Sequence, residues 1–252
     1  SVLPGFGLNL LVKDAMFQYP DLPKPVTGIA TDLSIDNPSG VLEQTRIDLR
    51  QFHADLGSNP LDARAVIEGL ERVQLDGRLQ AKLNLAELSS LFPMEGTTLR
   101  GQFDIDATAK GVYDEAAETF PTVDAVMAMS DGYVKQAEYP TELSNVNFRA
   151  SLEDADGSMA RSVLQVPAFH FELDGEPIDG RAMVENFASP AYELQASGQL
   201  DLEKLMQIYP MDGMSLKGKL VVEDFVTAGT YADIEAERYT NLPTSGRVRV
   251  EN

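Results

Sequence analysis

The sequence predicts a mainly β protein, built as two tandem repeats of a curved antiparallel sheet, each with one short amphipathic helix. Three observations lead there. Apolar and polar residues alternate over long stretches, the chain resembles itself at one fixed offset, and once in each copy the hydrophobic period lengthens from that of a strand to that of a helix.

The alternation is clearest in "VQLDGRLQAKLNL", which puts Val73, Leu75, Gly77, Leu79, Ala81, Leu83 and Leu85 on one face with mostly polar residues between them. Its counterpart gives Tyr192, Leu194, Ala196, Gly198, Leu200 and Leu202, and "LRGQFDIDATA" gives Leu99, Gly101, Phe103, Ile105 and Ala107. "NVNFRASL" alternates Val146, Phe148, Ala150 and Leu152. A period of two over such lengths means antiparallel strands with one apolar and one wet face. The clusters "DNPSG", "LGSNP", "EDADG" and "LDGEP" supply the turns between them.

The self-similarity has a single offset. "LNLAELSSLFPMEGTTLRG" from Leu83 returns as "LDLEKLMQIYPMDGMSLKG" from Leu200, 117 residues later (200 − 83), which pairs Pro93 with Pro210 and Gly96 with Gly213. The same offset sets "FHADLGSNPLDARAVIEGL" from Phe52 on "FHFELDGEPIDGRAMVENF" from Phe169. It also pairs Asp14 with Asp131, Pro23 with Pro140 and Gly40 with Gly157. The expected organisation is a first repeat over 1–117, a second over 118–234, and the start of a third over 235–252. With Ser1 rather than Met at its start, the chain reads as a processed protein or an excised fragment.

The helices are expected at about 85–92 and 202–209. Leu85, Leu88 and Phe92 stand at i, i+3 and i+7, as do Leu202, Leu205 and Tyr209. Asn84 and Asp201 occupy N-cap positions, Glu87 completes a capping-box pattern, and Pro93 and Pro210 end each helix. Two turns of helix do not stand alone in water, so each must pack on the sheet. The apolar strand faces are lean, rich in Ala and Gly. Periodicity fits both a core closed by a curled partner sheet and a curved trough with an incompletely filled interior.

Composition narrows the function. Lys and Arg number 20 against 40 Asp and Glu, a net charge of −20 that repels nucleic acid and anionic headgroups. There is no cysteine, so disulfides, thiol catalysis and thiolate metal sites are excluded. His53 and His170, the only histidines, are counterparts at the offset of 117, which marks a shared structural position and not one catalytic site. "FDIDA" (Asp104, Asp106) and "LEDADGS" (Glu153, Asp154, Asp156) raise calcium, but the second lacks the downstream Glu of an EF-hand loop and its counterpart "IDNPSG" is a plain turn. No nucleophile elbow, phosphate-cradling loop or zinc motif occurs, so no enzyme, cofactor or metal is expected.

Two long segments resemble the AsmA family and its TamB-type relatives: "DAMFQYPDLPKPVTGIATDLSIDNPSG" and "GRLQAKLNLAELSSLFPMEGTTLRGQFDIDATAKG". The resemblance is carried by the F-x-Y-P-x-x-P turn, the I-x-N-P-x-G turn and the L-N-L-x-x-L…P-x-x-G-x-x-L-x-G segment. The second copy departs from it, with "YVKQAEYPTEL" in place of the paired prolines and "EDADG" in place of "DNPSG". The resemblance implies a long protein of Gram-negative bacteria, anchored in the inner membrane and extending through the periplasm. It implies tandem β units that form an apolar groove, phospholipid transport, and a role in outer-membrane biogenesis. On this reading acyl chains lie against Leu79, Ala81, Leu83, Leu99, Phe103 and Ile105, and against Ala196, Gly198, Leu200, Leu216, Leu220 and Val222. Neighbouring repeats of the same chain are the other expected partner. The competing expectation is a structural or assembly module of the envelope with a filled core and no lipid.

Overall fold

The computed structural model describes residues 4–18, 24–92, 94–139, 141–208 and 216–251. Its first half runs β1 (Phe6–Phe17), β2 (Val26–Asn37), β3 (Arg46–Leu56), β4 (Asn59–Glu68), β5 (Val73–Asn84), α1 (Leu85–Leu91) and β6 (Thr97–Tyr113). The second runs β7 (Thr122–Gln136), β8 (Glu142–Asp154), β9 (Ser162–Leu173), β10 (Glu176–Glu185), β11 (Ala191–Asp201), α2 (Leu202–Ile208) and β12 (Lys219–Thr230). α3 (Tyr231–Glu235) and β13 (Thr244–Glu251) follow.

All 13 strands form one open antiparallel sheet, each bonded to its neighbours in sequence. The ladder crosses the expected repeat boundary at 117/118 without a break. β6 and β7 pair from Thr97–Gln136 to Lys110–Thr122. The second expected boundary, 234/235, falls inside α3. None of the helices among the described residues is long and apolar enough to cross a membrane.

Residues directly opposite in an antiparallel ladder point to the same face, so the sides of the sheet can be followed from edge to edge. One row runs Val12, Thr31, Phe52, Ala63, Leu79, Ala107, Ala125, Leu152, Leu164, Val184, Tyr192 and Gly229. A row on the opposite side runs His53, Asp62, Gln80, Asp106, Val126, Ser151, Gln165, Met183 and Glu193. The predicted alternation is therefore realised as one apolar and one mainly polar face. Leu85 and Leu202 leave the pattern because each opens a helix.

No second layer closes the apolar side among the described residues. The chain exposes 15583 Å², whereas a compact monomer of this mass exposes about 11,000 Å². Most apolar residues of the interior strands are half-buried, and those of the edge strands β1 and β13 are largely exposed. The fully buried ones are few and mostly small, such as Ala54, Ala81, Ala125 and Ala150.

Backbone irregularities recur at the spacing of the sequence similarity. Left-handed residues pair at 117 as Asp14 with Asp131, Gly28 with Asn145, Gly40 with Gly157, Gly57 with Asp174, Gly69 with Asn186 and Gly101 with Gly218. Asp14 and Asp131 sit where the ladder slips, in β1 against β2 and in β7 between its two neighbours. Such bulges bend a strand and raise its twist. At Gly157 (φ +71°) an added Cβ would lie 1.8 Å from the Phe120 carbonyl oxygen, so no side chain fits that turn.

The turns are organised by buried polar side chains. Asn37, 1 % exposed, accepts from the Gly40 amide at 2.7 Å and donates to Thr45 Oγ1 at 2.8 Å. Its counterpart Asp154 accepts from the Gly157 and Met159 amides, and Ser162, the counterpart of Thr45, donates to the Met159 carbonyl. Several expected features lie outside the described residues: the stops at Pro93 and Pro210, the turn through Tyr19, Pro20 and Pro23, and Pro140, Tyr209 and Gly213.

Asn37→Ala strips the turn of its acceptor and leaves the half-buried Gly40 amide without it. It is expected to cost about 1–3 kcal/mol in urea unfolding, and Asn37→Asp less, because Asp154 organises the counterpart turn. A loss from Asn37→Ala below about 0.5 kcal/mol, ordinary for a surface change, would contradict the assignment.

Candidate functional site

Eleven of the twelve residues expected against acyl chains lie within strands. Leu79, Ala81 and Leu83 of β5 face Ala107, Ile105 and Phe103 of β6 in direct register. Leu99 is paired with Val134, beyond a register slip in the β6–β7 ladder. In the second half Ala196 pairs with Phe225, Gly198 with Val222 and Leu200 with Leu220, and β13 continues the face with Val248 and Val250. Leu216 is the exception. It precedes β12 in the segment where the Leu202 amide bonds the Gly218 carbonyl.

These residues form a broad strip, not a closed pocket. Leu79 in the middle of the sheet is 39 % exposed, and Leu8, Leu10, Val248 and Val250 at the two edges are more exposed still. Glycine at 198 brings the neighbouring backbone close, since a Cβ there would meet Ile178 Cα at 2.9 Å.

The helices stand beside the strands they interrupt. α1 is capped as expected, with Asn84 Oδ1 accepting from the Glu87 amide at 3.0 Å, and Asp201 Oδ1 accepts from the Glu203 and Lys204 amides. The capping box does not close. Glu87 turns to the β3–β4 hairpin, where it accepts from the Ser58 hydroxyl and amide and from Lys24 Nζ. The Ser58 hydroxyl, then Lys24 and the Ser58 amide, lower the Glu87 carboxyl to about 2. The Asn84 amide instead donates to Asn59 Oδ1. Leu91 is the residue α1 buries, at 4 % exposed, whereas Phe92, expected in the apolar stripe, is 45 % exposed. Phe92 precedes Pro93 and has left helical geometry (φ −124°, ψ 80°), which swings it off the stripe.

The polar face carries the charged residues raised by the sequence. His53 Nδ1 donates to Asp62 Oδ1 at 2.8 Å, and its Nε2 lies 3.5 Å from Asp55 Oδ1. His170 repeats this with Asp179 Oδ1 at 2.8 Å and Glu172 Oε1 at 4.0 Å. The two histidines thus serve separate, matching cross-strand pairs. The hydrogen bond to Asp62, reinforced by the charges of Asp62 and Asp55, holds His53 above its usual value of 6.5. Asp106 receives Arg78 through two bonds, of 3.0 and 2.5 Å, and Asp156 binds Ser158 and Arg161. No cluster of three or more metal-ligating side chains occurs among the described residues.

Hollows open on this polar side, and sequence reasoning did not find them. One of about 660 Å³ is lined by Lys82, Asp104, Asp124 and Arg149, among others. Another, of about 260 Å³, gathers Arg50, Arg64 and Arg78. The available signal was Arg64 itself, repeated as Arg181 in a chain with twice as many acids as bases.

A raised folded-state value makes the His53 contribution to stability complete below about pH 6.5, and lost as pH rises through the folded value. NMR titration should place His53 above 6.5 and Asp62→Asn should return it toward 6.5. The melting-temperature gap between wild type and variant should be wider at about pH 5.5 than at about pH 9; an equal gap at both would contradict the pairing. No family profile, curated protein or solved structure matches this chain.

Proposed function

We propose that this chain is a non-enzymatic groove segment of an AsmA-like envelope protein that holds phospholipid acyl chains on its apolar face. The observation that carries the reading is the uncovered apolar side of one sheet, which runs from β1 to β13 across the register slips and is largely half-exposed. Water is a poor partner for that much aliphatic surface, and each CH₂ transferred onto it is worth about 0.8 kcal/mol. An extended strip with no fixed polar anchor suits a cargo that slides.

The same reading takes the chain as two copies of a six-strand unit, 1–117 and 118–234, with 235–252 opening a third. Support comes from α1 and α2 at 85–91 and 202–208, from the paired left-handed residues, and from the matching His–Asp contacts. β13 then stands where β1 and β7 stand, which suits a sheet built by repetition. The working context in this proposal is the Gram-negative periplasm, with the whole protein anchored in the inner membrane and acting in lipid transport for outer-membrane biogenesis. Against a packed structural module stands the exposure of Leu79 at the middle of the sheet, where a filled core would bury it.

Purified protein should carry acyl lipid by native mass spectrometry and bind a fluorescent fatty acid. Leu79→Asp, a charge on the apolar face, should weaken that binding by about tenfold or more, while Gln74→Asp on the opposite face of the same strand leaves it unchanged. Absence of acyl binding, or equal loss in both variants, would overturn the proposal.

A further inference from the structure

We propose that the polar face holds an oxyanion site of the phosphate class, centred on Arg64 where β3, β4 and β5 run side by side. Arg64 and Arg78 are direct partners in the β4–β5 ladder, which sets their Cβ atoms about 5 Å apart. Arg50 enters from β3 at the slip between Leu49 and Phe52 in the β3–β4 ladder. Like charges opposite one another destabilise a sheet, so this grouping works against the fold.

Two of the three guanidinium groups have carboxylates of their own. Arg50 is held by Asp32, with Asp48 at 3.7 Å, and Arg78 is held by Asp106. Arg64 has no carboxylate partner among the described residues and is exposed. The hollow of about 260 Å³ around it is lined by these three arginines, Gln51 and Gln80, with Phe52 and Ala63 at its floor and Asp62 its one acid. That Asp62 is already engaged by His53.

The lining is thus rich in N–H donors, and guanidinium forks match tetrahedral oxyanions through paired bonds. Arg64 alternates with Ala63 and Ala65, so it points away from the apolar strip. The bound group is therefore a soluble oxyanion and not the headgroup of a lipid lying on the other face. The second half offers a control within the molecule. Arg181, the counterpart of Arg64, faces Gln195 across the ladder instead of a second arginine, and its hollow holds Glu193, Gln165, Pro167, Met183 and Val226 with no other cationic side chain.

The test is a ³¹P NMR titration of inorganic phosphate with the full chain at constant ionic strength. Saturable binding is expected, weakened about tenfold or more by Arg64→Gln, less by Arg64→Lys, and unchanged by Arg181→Gln. Co-sedimentation with vesicles of phosphatidylglycerol, measured beside this, should not depend on Arg64. No saturable phosphate binding, equal binding by Arg64→Gln, or Arg64-dependent binding confined to vesicles would each overturn the inference. Arg64 is exposed and unpaired among the described residues, and Arg64→Gln also removes a like charge beside Arg78, so the variants should melt no lower than wild type.

Discussion

The lock between side-chain alternation and backbone register is what the rest of this structure rests on. A strand has period two, so a slip of one residue would turn its apolar set to the wet side. Eleven strands must agree for Val12 on β1 and Tyr192 on β11 to belong to one face. The ladder does slip at several places, and at Asp14, Asp131, Asn145 and Asp224 a residue in left-handed geometry stands at or beside the slip. Asx side chains tolerate that conformation better than most. The irregularities are thereby confined, and the apolar row resumes beyond them.

A sheet that closes on nothing must solve its stability differently from a sandwich. Backbone ladder bonds run the length of every strand, and the turns are tied by buried polar groups such as Asn37, Asn59, Asp154 and Ser162. On the wet face, cross-strand pairs such as Lys110–Asp76 and Arg46–Glu68 sit in solvent and contribute little each. Charged residues on an exposed edge strand, such as Arg247 and Arg249 of β13, discourage edge-to-edge pairing. Net charge of −20 acts in the same direction, keeping molecules with exposed edges apart.

Much of this was legible in the sequence. Alternation named the residues of the apolar face, turn residues marked the hairpins, and the period change located α1 and α2 to within a residue. What was hidden belongs to contacts between distant segments. Glu87 reads as half of a capping box, yet the β3–β4 hairpin reaches it first. Phe92 fits the helical stripe by spacing, but the residue before a proline leaves the helix, and Leu91 takes the buried place. α3 rests on a local signal overlooked at the end of a strand: Thr230 accepts from the Asp233 amide at 3.1 Å and donates back to its carboxylate at 2.6 Å. The continuity of the sheet across 117/118 was invisible, because similarity between two segments does not say whether their strands share a ladder. The arginine hollow was invisible for the same reason, since it joins three strands that only register brings together.

The central claim is that aliphatic side chains at the middle of the sheet face solvent or cargo and not protein. Methyl NMR of lipid-free protein with a neutral paramagnetic cosolute tests it most directly. The account predicts that methyls of Leu79, Ile105, Leu200 and Val222 broaden clearly, though less than those of Val248 and Val250 on the edge strand. Protection of the central methyls to the level of Leu91, the buried residue of α1, would show a closed core and contradict it.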